Sequence, residues 1–138
     1  MGKMMKKLRA WWANLQPNRR VVYRDVACGL YGVSLVERRG EKAVEEKVAW
    51  DDIAFVFAYK LDCLTFDKIC LALADASRNV RMQVTEDDAG YPMLIEQLPT
   101  YLSGCLAPAD WFMRVTFPAF ETQWTELYRR RAEETPEG

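Results

Sequence analysis

Carboxylates and amines set close together can hold a metal, polarise a substrate or exchange protons. Lys60, Asp62, Asp67 and Lys68 interrupt two apolar runs, Asp51-Asp52 follows Trp50, and Glu86-Asp87-Asp88 precedes a helical pattern. Side chains adjacent along an extended strand point to opposite faces, so Asp51 and Asp52 would not converge. Turn and capping duty explains them and the Glu86–Asp88 cluster. The lysines and aspartates of 60–68 could line a pocket, and the reading adopted is that of charges at the ends of hairpin strands. Ser34 and Ser103 have no evident base beside them. Histidine is absent, which removes the commonest general base, pH switch and metal ligand together. Cys28, Cys63, Cys70 and Cys105 form no C-x-x-C pair and sit among apolar neighbours. They are read as buried, reduced thiols rather than as a zinc site or disulfides. No catalytic residue, metal or cofactor is expected.

The elements that would position these groups follow from periodicity. Met4, Met5, Leu8, Trp11, Trp12 and Leu15 make a one-sided helical stripe across Lys3–Leu15, ended by Pro17 and Asn18. From Arg20 the period becomes two. Strands are expected around Val22–Val26, Leu30–Val36 and Ala43–Val48, with Arg39-Gly40-Glu41 as a hairpin turn between the second and third. The polar run Glu41–Lys47 marks that third strand as an edge or as wet on one face. Ile53–Leu61 and Phe66–Ala74 are apolar on both faces and belong centrally, and Val80–Val84 alternates again. Asp87 or Asp88 then offers an N-cap for a helix through Leu94, Ile95 and Leu98. Pro99 should end or kink that helix near Leu98. A second helical stretch covers Trp111–Thr116, and Thr122–Arg130 fits a strand or a helix. The expected organisation is a basic amphipathic helix within residues 1–18, an α+β domain over 20–130, and a disordered tail at 131–138. About six meandering antiparallel strands should form a curved sheet or partly open barrel capped by C-terminal helices.

Charge narrows the partners. The formal net charge is -1, so no strong overall field draws in nucleic acid. The distribution is uneven: Lys3, Lys6, Lys7, Arg9, Arg19 and Arg20 precede the first acidic residue, Asp25. Lys3, Lys6, Lys7 and Arg9 flank an apolar face carrying Trp11 and Trp12, the composition of a helix that lies on anionic lipid. The same two tryptophans could pack on the domain, on another protein or on a second copy of the chain. Arg129-Arg130-Arg131 is read as a solvated terminal run. No stretch is long and apolar enough to span a bilayer, and the N-terminus reads neither as a signal peptide nor as a myristoylation site. A cytoplasmic location is expected, with membrane-peripheral attachment as the alternative.

Val48-Ala-Trp50-Asp-Asp-Ile53, followed by a strongly apolar strand, resembles a step in small bacterial domains with a pleckstrin-homology-like β-barrel. The likeness continues through Leu94-Ile-Glu-Gln-Leu98-Pro-x-Tyr-Leu102, Trp111, Phe117-Pro-Ala-Phe120 and Leu127-Tyr-Arg-Arg130. It covers about Arg20 to Arg130. Some such proteins resemble immunity proteins of bacterial toxin systems. The resemblance implies a protein-binding module and brings no catalytic residue with it. The basic N-terminal helix departs from the pattern, since most such domains begin with the first strand. The function expected from the sequence is therefore protein–protein interaction, immunity-like in type. The alternative is a peripheral membrane protein held by Lys3–Leu15.

Overall fold

The computed structural model describes residues 22–62, 67–116 and 124–131, with only the backbone of Asp62. The N-terminal stretch carrying Lys3, Lys6, Lys7, Arg9, Trp11 and Trp12, together with Cys63 and the tail from Ala132, lies outside the described residues. Alternating sequence becomes strand where expected, with shifted ends: β1 (Tyr23–Cys28), β2 (Gly32–Arg39), β3 (Lys42–Ala49), β4 (Phe55–Asp62), β5 (Asp67–Ala74) and β6 (Val80–Thr85). Helix α1 (Tyr91–Tyr101) and helix α2 (Pro108–Thr116) follow, and β7 (Thr125–Arg129) closes the order. The stretch that fitted strand or helix equally is thus a strand, with Leu127 and Tyr128 buried.

The strands do not form one curved sheet. They make two antiparallel sheets, β1-β2-β3 and β6-β5-β4-β7. The cause lies in the Trp50–Asp52 segment, which folds into a single 3-10 turn. That turn ends β3 and carries the chain to the second sheet, so β3 and β4 never pair. The Trp50 ring stacks on Tyr101 at 4.7 Å between centroids, and its indole N–H donates to the Gly29 carbonyl at 2.7 Å. The tryptophan therefore ties the first sheet to α1. Arg130, just beyond β7, donates to the carbonyls of Trp50, Asp51 and Ile53 at 3.0, 2.7 and 2.7 Å. Those three bonds fasten the turn from its other side.

Alternation in β4 explains why both its faces are apolar. Val56 and Ala58 point into the main core with Ile69, Leu71 and Leu73 of β5 and Met82 and Val84 of β6. Val26, Val33, Leu35 and Val48 of the first sheet, Leu94 and Leu98 of α1, and Trp111 of α2 close that core. Tyr59, Cys70, Ala72 and Val80 form a second buried cluster, with Trp124 stacked on Tyr59 at 4.1 Å.

Two expectations about α1 need correction. Neither Asp87 nor Asp88 caps it: the N-cap is Gly90, at φ 87°, with no side-chain bond. A β-carbon there would run into the Val26 carbonyl oxygen, because Ala89 bridges β1 at Asp25. Only glycine fits such a close approach in the left-handed region. Nor does the helix end near Leu98. It continues through Pro99 to Tyr101, and the Leu102 N–H still reaches the Leu98 carbonyl at 2.8 Å. Within the last turn a proline forfeits one backbone bond without having to carry a helix beyond it.

Candidate functional site

Among the described side chains, the titratable groups singled out in the sequence meet in separate pairs and do not converge on one point. In the β4–β5 register Lys60 opposes Ile69 and Leu61 opposes Lys68, so the two lysines leave opposite faces. Lys60 meets Asp67 at 3.7 Å, and Lys68 meets Asp87 at 2.7 Å. Both lysines are buried despite their place near the strand ends, at 5 and 8% exposure. A buried ammonium needs such a carboxylate near it. The side chain of Asp62 lies outside the described residues.

The acidic run after β6 is divided in the same way. The Glu86 carboxylate accepts the Ile69 N–H at 2.8 Å, Asp87 takes Lys68, and Asp88 accepts the Thr85 N–H at 2.9 Å and Arg24 Nε at 3.0 Å. Arg24 also reaches Glu37 at 3.2 Å and the Gln83 carbonyl at 2.8 Å. One guanidinium thus joins β1, β2, β6 and the turn beyond it, and the acids serve as clasps. Asp51 and Asp52 are exposed on the 3-10 turn. No group of three or more metal-ligating side chains occurs among the described residues.

Cys28 and Cys105 are free thiols, the first half-buried and the second buried, and Cys70 is buried in β5. Burial pushes the Cys105 thiol up to about 12 and raises Cys28 as well, which suppresses the nucleophilic thiolate. Burial, with Cys70 beside it, also raises the Tyr59 phenol, whose hydroxyl has no hydrogen-bond partner among the described residues. Ser34 lies half-buried in β2 and Ser103 is exposed beyond α1.

Ser103 and Gly104 line a hollow of about 350 Å³ with Arg129 and Arg131. The basic run is therefore split: Arg129, at the end of β7, and Arg131 share this hollow, while Arg130 turns to the 3-10 turn. Arg129 forks onto Glu126 at 2.9 and 3.1 Å, and its guanidinium and that of Arg78 lie 5.5 and 4.6 Å from the centre of the Phe55 ring. Its charge is largely spent inside the chain.

The surface left open for a partner is β3. Lys42 to Lys47 are exposed on both faces of the strand, and among the described residues β3 pairs only with β2. Val44 keeps 61% of its surface in water. Gly40, at φ 62°, opens the tight turn that joins Arg39 to Lys42 across the ladder. Antiparallel pairs alternate between bonded and non-bonded. The Trp50 N–H bond to the Tyr31 carbonyl fixes the phase. Counting back along the register, Val48, Glu46, Val44 and Lys42 bond inward to β2. The N–H and C=O groups of Ala43, Glu45 and Lys47 therefore face the open edge. The polar run Glu41–Lys47 marks an edge in the sequence. What it does not show is that, among the described residues, no element covers either sheet face along Lys42–Lys47.

No described helix is long and apolar enough to cross a membrane, a statement that leaves β-barrels aside. Compared with known protein families, curated proteins and solved structures, the chain matches none.

Proposed function

We propose that this chain is a protein-interaction module that binds by strand addition along β3. The observation that carries the reading is the run Lys42–Lys47, an extended strand exposed on both faces among the described residues, whose Ala43, Glu45 and Lys47 backbone groups point outward. An edge of this kind recruits an extended segment through main-chain hydrogen bonds, with flanking side chains supplying the choice of partner. The pleckstrin-homology-like and immunity-like resemblance supports the same class of function, and the run of six antiparallel strands before a helix is compatible with it.

Proline at position 45 tests the reading. Glu45→Pro removes an outward N–H and leaves the β2 ladder intact, because proline is tolerated where the N–H faces away from the sheet. The variant should keep its circular dichroism and melting temperature yet lose a partner captured from the native host. Glu46→Pro removes an inward bond and should damage the fold itself. Undiminished capture by a folded Glu45→Pro variant would overturn strand addition.

A second reading, peripheral membrane attachment, draws on the basic stripe with Trp11 and Trp12 in Lys3–Leu15. Each lysine or arginine near an anionic surface contributes about 1 kcal/mol. Co-sedimentation with phosphatidylserine vesicles should fall when residues 1–16 are removed. Equal pelleting of the two forms would dismiss it.

A further inference from the structure

We propose that the segment added to β3 is the β3 strand of a second copy of this chain, antiparallel, with the twofold axis through Val44. The proposal rests on the strand-addition reading and names its partner. Charged side chains on an edge ordinarily keep a second strand away. Here their order about Val44 makes the strand complementary to itself.

Only outward-facing backbone groups can bond across a new edge. Ala43, Glu45 and Lys47 must therefore meet the same set on the other copy, and this places the axis on a residue. With the axis on Val44, Lys42 stands opposite Glu46 of the second copy, Glu41 opposite Lys47, and Ala43 opposite Glu45. Every charge then faces an opposite charge or an alanine, in both directions, since the pairing is isologous. Moving the axis by one residue breaks this. On Glu45 it opposes Glu45 to itself, on Ala43 it opposes Glu41 to Glu45, and on Glu46 it opposes Glu46 to itself. Val44 is also the large apolar residue on β3 that the fold leaves exposed, at 61%, where Val48 is buried. In the proposed register it lies against its own copy in a non-bonded pair, the closer of the two antiparallel spacings. The sheet β1-β2-β3 would continue across the axis into that of the second copy. The contact is one strand wide, which makes it a reversible, concentration-dependent association.

Sedimentation velocity over a wide protein concentration range tests the assembly on the full chain. The wild type should shift reversibly from its 16.0 kDa monomer towards twice that mass. Lys42→Glu sets Glu against Glu46 of the other copy, and Glu46→Lys sets Lys against Lys42. Each single reversal should weaken the dimer at least tenfold, and the double variant K42E/E46K should restore it. The substituted positions are exposed, and circular dichroism confirms that each variant is folded. The register is read separately by oxidation. Val44→Cys should give a disulfide cross-link between the two copies at position 44, identified by peptide mass spectrometry, whereas Glu45→Cys should not cross-link at position 45. A wild type that stays monomeric throughout, single reversals that dimerise as well as the wild type, or a cross-link at position 45 in place of 44 would each overturn the proposal. Should the wild type stay monomeric while Glu45→Pro still abolishes capture of another protein, self-pairing fails and strand addition stands.

Discussion

At the scale of single residues, identical side chains in sequence acquire different duties from the surroundings each one reaches. Arg129, Arg130 and Arg131 read as one solvated basic run, yet Arg130 donates three hydrogen bonds to backbone carbonyls of the Trp50–Ile53 turn. Arg131 lines an open hollow. Hydrogen bonds from a charged group contribute more than neutral ones, and water can re-solvate part of what is lost. Arg130→Met should therefore cost about 2 kcal/mol. Arg130→Lys should recover only part of it, since a point ammonium cannot reproduce a planar fork reaching three carbonyls. Arg131→Met should stay within about 0.5 kcal/mol, as surface substitutions do. Urea midpoints at constant m-value separate the three variants. Equal losses for Arg130→Met and Arg131→Met would show that the turn does not depend on the guanidinium.

At the scale of elements, the sequence was legible wherever periodicity met burial. The two-faced apolar runs of β4 and β5 announced central strands, and the polar Glu41–Lys47 run announced an edge. It was less legible where a tertiary contact decided the outcome. Asp88 has the composition of an N-cap, but Arg24 and the Thr85 N–H claim its carboxylate, which leaves Gly90 to begin α1. Arg24 lies sixty-four residues away in the chain, so no local pattern signals it. Trp50-Asp51-Asp52 was visible as an interruption, but not as the point where one sheet becomes two. That depends on Arg130 and Tyr101 meeting the turn from distant segments. The candidate surface was half legible: composition identified an edge, while its exposure on both faces depends on which strands and helices fail to reach it.

At the scale of the whole molecule, two sheets share one core, and a half-buried arginine joins them by polar bonds. Arg24 sits on β1 with its side chain 14% exposed. It holds Glu37 in its own sheet, and Asp88 and the Gln83 carbonyl on the side of the second. Its removal leaves Asp88, 4% exposed at the side chain, without its cation. Breaking a buried pair from one side costs more than the pair itself contributes, because the remaining charge stays desolvated. Arg24→Met should lower stability by about 3–4 kcal/mol, a large share of the 5–15 kcal/mol typical of a domain. The loss should appear as a single lowered transition, since Val26, Leu35 and Val48 of the first sheet share a core with Leu71 and Val84 of the second. Pairing Arg24→Met with Asp88→Asn should return part of the stability, because the amide keeps an acceptor for the Thr85 N–H and carries no charge to bury. Urea unfolding followed by tryptophan fluorescence and by far-ultraviolet circular dichroism checks both points. Coincident curves and partial recovery in the double variant are expected. Two separated transitions in the wild type would mean that each sheet stands alone and that the arginine clasp does not make them one cooperative unit.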